Sequence, residues 1–434
     1  MNLLEKPFQL TVTIVFGLLA IFGLILFSNF RGFGGGDASA GKVAIWGTLP
    51  QSAIDLQIDA LRTENKAFAG VSYTEIALEN FSSFLSNSIA SGSGPDMVLI
   101  TQEQLLSEQS KLAVIPAREI SERDYLDTFV PITELFLTTT GTYGVPLVVD
   151  PLVLYYNKTT LSSAGVALPP ASWEAVNGLA ERITIRSGAE ISQSAIAFGE
   201  YDNIENARGI ISLLLLQSGT PITIVNEFGV RAVLGERTNV GALGLSATDS
   251  AINFYTQFAD PAKTVYTWNR ARASARQAFL AGDLALYIGY ASELPILSNG
   301  NPNLSFDMAR IPQPQVSSTR ATFARAYAFA IPKASSNPEG ALSTALELTS
   351  TAQSLLSADS LSMTPARRVL LTEKQSDKFK AVFYPEALIS KGWLSPSQEA
   401  TDTIFRAMIG NISSGRADIP QAITTASQAI DAAL

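Results

Sequence analysis

The fold class is decided by residues 42–100, KVAIWGTLPQSAIDLQIDALRTENKAFAGVSYTEIALENFSSFLSNSIASGSGPDMVLI. The segments KVAIWGT and DMVLI at its two ends predict strands, and residues 71–78 alternate as a third strand does. Between them, apolar residues recur at helical spacing, first at Ile54, Ile58 and Leu61 and then around Phe81 and Leu85. The order strand, helix, strand, helix, strand implies a parallel α/β sheet.

Ligands of such sheets bind beyond the carboxyl ends of the strands. Trp46 and Thr48 follow the first strand and Gln102 follows the third, so these residues are placed at a ligand edge. Trp46 has an alternative interpretation as an aromatic residue of the core, because tryptophan is highly buried on average.

A second informative segment is GVPLVVDPLVLYYNK, residues 144–158, an apolar run interrupted by Asp150 and Pro151. A buried carboxylate without a partner is costly. Asp150 therefore either forms structural hydrogen bonds at a chain crossover or points into a polar cleft. Further along, FLAGDLALYIGY (residues 279–290) predicts a helix end, a turn and a buried strand, and an apolar face from Ile419 to Ile430 predicts a C-terminal helix.

Composition excludes several classes of function. The chain has 434 residues, a formal net charge of −9 and no basic run, so nucleic acid is not an expected partner. It contains no Cys and no His, which removes thiol nucleophiles, imidazole triads and Cys or His zinc sites. We predict no catalytic residue, no metal site and no cofactor.

The N-terminus predicts a membrane anchor. Residues 7–30 carry no charge, and 24 helical residues at about 1.5 Å each span roughly 36 Å, enough for the hydrocarbon core. Residues 1–30 are therefore expected to be a single transmembrane helix, and the glycine-rich residues 31–41 a flexible tether. A cleaved signal peptide, ending at Ala38-Ser39-Ala40, and a buried core helix are the alternatives.

Several segments, in order and at matching separations, resemble the family 1 extracellular solute-binding proteins, the maltose-binding-like receptors of bacterial ABC importers. The matching segments are AIWGT, SGSGPDMVLI, YGVPLVVDPLVLYYNK, AGVALPPASWEAV, FLAGDLALYIG, RIPQP and AFAIPKASSNPEGALSTALEL. Together they extend over most of the chain after the tether.

The resemblance implies an α/β, two-lobe, periplasmic-binding-protein-like fold, with hinge crossovers near residues 146–152, 323–328 and 359–363. The first lobe comprises residues 42–149 and 327–360, and the second residues 150–326 and 361–434. A small solute, a sugar or an oligosaccharide, is expected between the lobes, with ABC permease subunits as partners and the body on the extracytoplasmic side of the cell membrane.

The resemblance also implies ligand-binding residues. By position these are Trp46, Thr48, Gln102 and Glu103 of the first lobe, Asp150 and Arg325 at crossovers, and Glu200, Tyr201, Asp202, Trp268, Asn269 and Tyr290 of the second lobe. Trp46, Asp150, Trp268 and Tyr290 are expected to carry most of the recognition.

Some choices stay open at this stage. Arg325 places a cation that suits an acidic sugar, or it forms a structural ion pair. Maltose-binding relatives carry one aromatic residue where this chain has Ile100 and another in the late C-terminal helix, near Asp402. Neither is found here, which argues against maltodextrin as the ligand. A surface-anchored glycosidase using two of Asp96, Asp150, Glu200 and Asp202, and a receptor that senses a ligand without transport, are the alternative functions.

Overall fold

The computed structural model describes residues 39–236, 246–315 and 320–434. The predicted anchor, residues 1–30, and most of the predicted tether lie outside these residues. Residues 40–434 pack as one compact unit. Among the helices of the described residues, none is both long and apolar enough to cross a bilayer.

An eleven-stranded sheet forms the centre of the molecule. Along its main path the strands are β2 (Val71–Glu75), β1 (Val43–Gly47), β3 (Met97–Thr101), β14 (Thr322–Ala330), β7 (Val145–Asn157), β12 (Leu284–Tyr290), β9 (Glu190–Ile196) and β8 (Ile185–Ser187). Three short strands join this path, namely β13 (Phe306–Ala309) and β15 (Thr364–Pro365) on β7 and β16 (Ser390–Lys391) on β14. Two small sheets stand apart, one of β4 (Ile115–Pro116), β5 (Leu137–Thr138) and β6 (Gly141–Thr142), the other of β10 (Thr223–Asn226) and β11 (Gly229–Ala232).

Helices cover the sheet. In chain order they are α1 (Gln51–Glu64), α2 (Leu78–Ala90), α3 (Gln102–Glu108), α4 (Glu122–Thr128), α5 (Lys158–Ser163), α6 (Trp173–Ile183), α7 (Ala207–Gln217), α8 (Ala247–Thr256), α9 (Ala275–Ala281), α10 (Leu294–Gly300), α11 (Pro338–Leu348), α12 (Thr351–Leu361), α13 (Arg368–Leu371), α14 (Lys380–Leu388), α15 (Gln398–Ser413) and α16 (Ile419–Ala433). Short 3₁₀ turns occupy Lys66–Phe68, Gln109–Lys111, Pro131–Phe136, Gln257–Ala259 and Ala291–Glu293.

The predicted parallel α/β start is present. β1 pairs in parallel with both β2 and β3, and α1 and α2 connect these strands in the predicted order. Ile54, Ile58 and Leu61 form the buried face of α1, as their spacing predicts. In α2 the buried residues are Phe81 and Leu85, whereas Phe84 is exposed.

Two long strands run side by side through the middle of the sheet. β7 continues through Asp150 and Pro151 without a break, and its neighbour β14 is antiparallel to it, with Asp150 opposite Arg325. Pro151, opposite Ala324, is the last residue of β7 in its pairing with β14, and the pairing of β7 with β12 begins at the next residue, Leu152. The first two predicted crossovers thus fall on adjacent, hydrogen-bonded strands.

The third predicted crossover falls at the end of α12. Ser362 follows that helix with a positive φ of 54°, and β15 then pairs with Val148 and Val149 of β7. All three predicted crossovers therefore meet at the same place in the sheet. The lobe boundaries at residues 149/150, 326/327 and 360/361 stay a prediction, because residues 40–434 form one compact unit.

The two later sequence expectations also match the fold. Gly282 ends α9 in the left-handed conformation, with φ of 89°, and the fully buried β12 follows it. In α16 the buried face is Ala422, Ile423, Ala426 and Ile430.

Candidate functional site

The carboxylate of Glu103 lies at the centre of a buried ionic cluster. Glu103 is the second residue of α3, directly after β3, and only 2% of it is exposed. Its Oε1 accepts from Arg208 Nε at 2.9 Å, and its Oε2 accepts from Arg325 Nε at 3.2 Å. Burial by itself raises the pKa of Glu103, but the charges of the two arginines outweigh burial and hold this pKa below its usual range.

Arg208 links this carboxylate to a second one. Its Nη1 donates to Asp402 Oδ2 at 2.5 Å, and Tyr201 Oη donates to the other oxygen of Asp402 at 2.5 Å. Glu103 follows β3, Arg208 belongs to α7 and Asp402 to α15. We call Glu103, Arg208, Arg325 and Asp402 the ion cluster. It joins a residue of the predicted first lobe to residues of the predicted second lobe.

Asp150 and Tyr290 flank the ion cluster. Asp150 accepts two hydrogen bonds from Ser292, one from its backbone N–H at 3.0 Å and one from its hydroxyl at 2.6 Å. Burial raises the pKa of Asp150 to about 6, although the Ser292 bonds act in the opposite direction. The guanidinium of Arg325 stacks over the Tyr290 ring at 4.0 Å from the centroid.

The Tyr290 ring is tightly enclosed. Its hydroxyl is buried and has no hydrogen-bond partner in the described part of the chain, and a Cβ added at Gly209 would lie 2.6 Å from that hydroxyl. Glycine at position 209 therefore permits α7 to approach the ring. Gln102 is equally enclosed, because its amide binds the backbone of β14 at Ala324 and Ala326.

The structure thus brings together six residues named from the sequence: Gln102, Glu103, Asp150, Tyr201, Tyr290 and Arg325. Of the two interpretations of Arg325, its contacts with Glu103 and Tyr290 are those of a structural ion pair. Asp150 has the structural hydrogen bonds that one of its two interpretations requires, since its oxygens accept from Ser292; its role toward a ligand stays a prediction. Arg208 and Asp402 were not predicted as site residues from the sequence, although the ion cluster depends on both.

The remaining named residues lie elsewhere. Trp268 is 0% exposed; its indole N–H binds Asn203, and the Arg272 guanidinium stacks on its ring. Asn269 binds the carbonyl of Ala189 and the hydroxyl of Tyr266. In this conformation Trp268 offers no surface to a ligand.

Trp46 also lies apart from the cluster. Its ring packs on Phe84 of α2, with centroids 5.0 Å apart. Thr48 is partly buried just beyond β1. Glu200, which pairs with Arg270, and Asp202, which pairs with Arg406, line a small cavity of about 280 Å³ together with Tyr201.

A larger groove opens beside the ion cluster. It has a volume of about 720 Å³ and lies between α2, α3 and α15. Its lining consists of Leu78, Glu79, Ser82, Gln104, Ser107, Glu108, Ser397, Gln398, Glu399, Asp402, Thr403 and Arg406. No aromatic side chain is among them, so recognition here depends on hydrogen bonds and charge.

Trp46 and the groove are on different sides of α2. Ser82 lines the groove. Phe84, on whose ring Trp46 packs, lies two residues further along α2, which at about 100° per residue is about 200° around the helix axis. Trp46 therefore does not line this groove, and its place at a ligand edge stays a prediction.

Gln104 is the best-defined polar group of the groove. It is only 8% exposed, and its Oε1 accepts from the backbone N–H and the hydroxyl of Thr101, at 3.0 and 3.2 Å. These bonds close a capping box at the start of α3. The amide nitrogen has no acceptor among the described residues, so both of its hydrogens are available to a ligand. The Thr-x-x-Gln spacing was the sequence signal for this residue.

The carboxylates considered for a glycosidase occupy separate environments. Asp96 binds the backbone N–H of Ala44 and the hydroxyls of Ser335 and Ser336, and Asp150 binds Ser292. Glu200 and Asp202 line the small cavity, each with an arginine. None of these four lines the 720 Å³ groove.

Solved structures share this fold across most of the chain. The GacH receptor of Streptomyces glaucescens, solved unliganded and with acarbose, is 17% identical over 91% of this chain and 98% of its own, with a TM-score of 0.68. A cyclic α-maltosyl-1,6-maltose binding protein from Arthrobacter globiformis is 15% identical over 90% and 98%, with a TM-score of 0.72. An ABC transporter solute-binding protein from Thermotoga lettingae, bound with α-D-tagatose, is 16% identical over 91% and 99%, with a TM-score of 0.66.

No curated protein sequence matches this chain. A family profile does: the one described as bacterial extracellular solute-binding protein matches residues 60–385. The matched residues include β3, the ion cluster as far as Arg325, and both long strands of the sheet. This confirms the resemblance seen in the sequence, and the family's extracellular character agrees with the expected extracytoplasmic body. The chain belongs to the bacterial extracellular solute-binding proteins.

Proposed function

We propose that this protein captures a sugar or an oligosaccharide in the groove between α2, α3 and α15 and delivers it to an ABC importer. The observation that carries the proposal is the lining of the groove: serines, a threonine, glutamines and carboxylates that together donate to and accept from hydroxyl groups. Its volume of about 720 Å³ is within the range of small-molecule sites.

The structural relatives support this choice of ligand class. Acarbose, mannobiose, maltotetraose and α-D-tagatose are named with four of them. The relative from Thermotoga lettingae is named as an ABC transporter solute-binding protein, which supports ABC permease subunits as the partners.

The groove also supports a closing mechanism. α2 and α3 belong to the predicted first lobe and α15 to the predicted second, so a solute in the groove contacts both. Binding energy shared between two lobes favours the closed population. We infer that β7 and β14, near Asp150 and Ala326, carry the hinge. Small-angle scattering with and without a saturating sugar tests this. Because part of the free protein is expected to be open, the radius of gyration should fall when the sugar binds.

Anchoring is part of the proposal. The uncharged residues 7–30 and the absence of a cysteine for lipid attachment support a transmembrane helix that stays in the mature protein. N-terminal sequencing of the membrane-bound protein checks this, and a mature chain that starts at Gly41 would contradict it.

Ligand capture is tested on the full chain in detergent, with a glycan panel and a melting readout, because a ligand of the folded state raises the melting temperature. Isothermal titration then compares Gln104→Glu with the parent. The variant keeps the oxygen that accepts from Thr101 but loses the amide donors, and we expect affinity for a neutral sugar to fall about fivefold or more.

The matched control is Gln375→Ala, a glutamine outside the groove whose amide binds only the backbone of Glu373 among the described residues. Equal affinity of Gln104→Glu and the parent would remove the groove from the proposal. If no sugar of the panel binds, the proposal that the ligand is a saccharide is refuted.

A further inference from the structure

The groove carries an uneven set of charges. Four carboxylates line it, those of Glu79, Glu108, Glu399 and Asp402, against one cation, Arg406. The imbalance matters for ligand choice because a charged ligand in the groove lies close to more carboxylates than cations.

Some of these charges are already compensated by the protein. Glu108 binds Lys111 at 2.7 Å, Asp402 binds Arg208 at 2.5 Å, and Arg406 binds Asp202 at 2.7 Å. Glu79 and Glu399 are exposed and have no basic partner within the described parts of the chain. They stand on α2 and α15, on opposite walls of the groove.

Each of the nearby cations pairs with a carboxylate of the chain. Arg208 and Arg325 both contact Glu103 in the ion cluster, and Arg406, which is half exposed, binds Asp202 through its Nε. Gln104, which is more than nine-tenths buried and lines the same groove, has an amide nitrogen without an acceptor among the described residues. A ligand therefore meets one amide donor and two carboxylates that the described residues leave without partners.

We propose that the ligand is a saccharide that carries a positive charge, an amino sugar or an oligosaccharide containing one, with Glu79 and Glu399 as counter-charges and Gln104 as a donor to a hydroxyl. The proposal rests on the function proposed above and names its substrate class. Saccharides with carboxylate groups are repelled.

The test uses the full chain in detergent and trimers of glucose, glucosamine and glucuronic acid, each in α-1,4 and β-1,4 linkage. Titration calorimetry at low salt is expected to show the glucosamine trimer bound about fivefold more tightly than the glucose trimer of the same linkage. This factor corresponds to about 1 kcal/mol, the upper end of the range for an exposed ion pair. The glucuronic acid trimer binds weakest. Added salt reduces the preference because the charges are near water.

Two variants identify the residues. In Glu79→Gln/Glu399→Gln the preference for glucosamine over glucose falls to less than about twofold, because the two negative charges are removed. In the control Glu373→Gln, an exposed carboxylate outside the groove, the preference is unchanged.

The outcomes distinguish a failure of the charge inference from a failure of the proposed sugar-binding function. Glucose bound as tightly as glucosamine, or glucuronic acid bound best, overturns the charge inference and leaves a sugar-binding function in place. A glucosamine preference that survives in the double variant overturns the assignment to Glu79 and Glu399. Failure of all six trimers to bind overturns the proposed function, and the inference with it.

Discussion

Glu103 and Gln104 are neighbours in α3, yet they belong to regions that differ in how charge is treated. Glu103 lies in the ion cluster, where each charged group is paired with another group of the cluster. Gln104 lines the groove, where Glu79 and Glu399 lack such partners among the described residues. Similar residue types thus hold the fold together in one region and remain available to a solute in the other.

Burial decides between these roles. Removing one member of a buried ion pair leaves a desolvated charge, which costs several kcal/mol, whereas an exposed pair contributes little. The comparison would therefore fail if replacing a groove residue lowered the free energy of unfolding strongly, or if replacing a buried residue of the ion cluster left it unchanged.

The largest effect is expected for Glu103→Gln. The change leaves Arg208 and Arg325 facing each other without the carboxylate between them, so the free energy of unfolding should fall by about 3 to 5 kcal/mol. Denaturant unfolding followed by circular dichroism measures this. The control Arg123→Ala breaks the exposed pair with Asp127 and should change the free energy of unfolding by less than about 0.5 kcal/mol. Equal effects of the two substitutions would refute the comparison.

Glu386 sharpens the comparison, because it is a buried carboxylate whose ion pair with Arg310 is long. It is 1% exposed, Arg310 Nε lies 4.0 Å from its Oε1, and its Oε2 has no hydrogen-bond partner among the described residues. Burial raises its pKa from 4.5 to about 7. Between these two values the folded state holds a proton that the unfolded chain has released, so raising the pH lowers the free energy of unfolding.

Glu386→Gln removes this linkage. Relative to the parent, the variant should gain up to about 3 kcal/mol of unfolding free energy as the pH rises from about 4.5 to about 7. Denaturant melts at four or five pH values across this range measure the difference. The exposed residue Glu339 provides the control substitution, Glu339→Gln, measured at the same pH values. A flat difference for Glu386→Gln would show that Glu386 is not desolvated.

Asp402 belongs to both regions, and Tyr201→Phe tests which role dominates. The change removes one hydrogen bond to the Asp402 carboxylate, which is partly exposed, so we expect the free energy of unfolding to fall by about 1 kcal/mol. Thermal unfolding of the variant and the parent, run side by side, gives the value. A loss as large as that of Glu103→Gln would place Asp402 with the buried residues.

The smallest effect is expected for Tyr290→Phe. The hydroxyl of Tyr290 is buried and finds no partner among the residues that the structure describes, so its removal should destabilise the fold by less than about 0.5 kcal/mol of unfolding free energy. The ring and its contact with Arg325 remain. A destabilisation above about 1 kcal/mol would mean that the hydroxyl has a partner after all.

Much of the fold was accessible from the sequence because it depends on local patterns. The apolar spacing of Ile54, Ile58 and Leu61 and the continuous apolar run around Asp150 each gave the correct element. The family resemblance, applied by position, also named Glu103 and Tyr290, which lie in and beside the ion cluster.

The partners of these residues were not accessible. Arg208 and Asp402 follow Glu103 by 105 and 299 positions in the chain, and no local pattern marks either as its ion partner. The contacts of Trp46 and Trp268 were not accessible either, because they are properties of the tertiary structure. Trp46 packs on Phe84, and the indole N–H of Trp268 binds Asn203; the expected contacts of both tryptophans with a ligand stay predictions.

The position of β14 between β3 and β7 also has a consequence for how the chain is made. β3 pairs with β1 on one side and with β14 on the other, and more than 200 residues separate β3 from β14 in sequence. At roughly 5 to 20 residues per second of synthesis, the edge of β3 stays without its final neighbour for about 10 to 40 seconds. An open apolar strand edge is prone to pair with other chains. A nascent chain of this protein therefore depends on being kept unfolded or shielded until residue 330 has emerged.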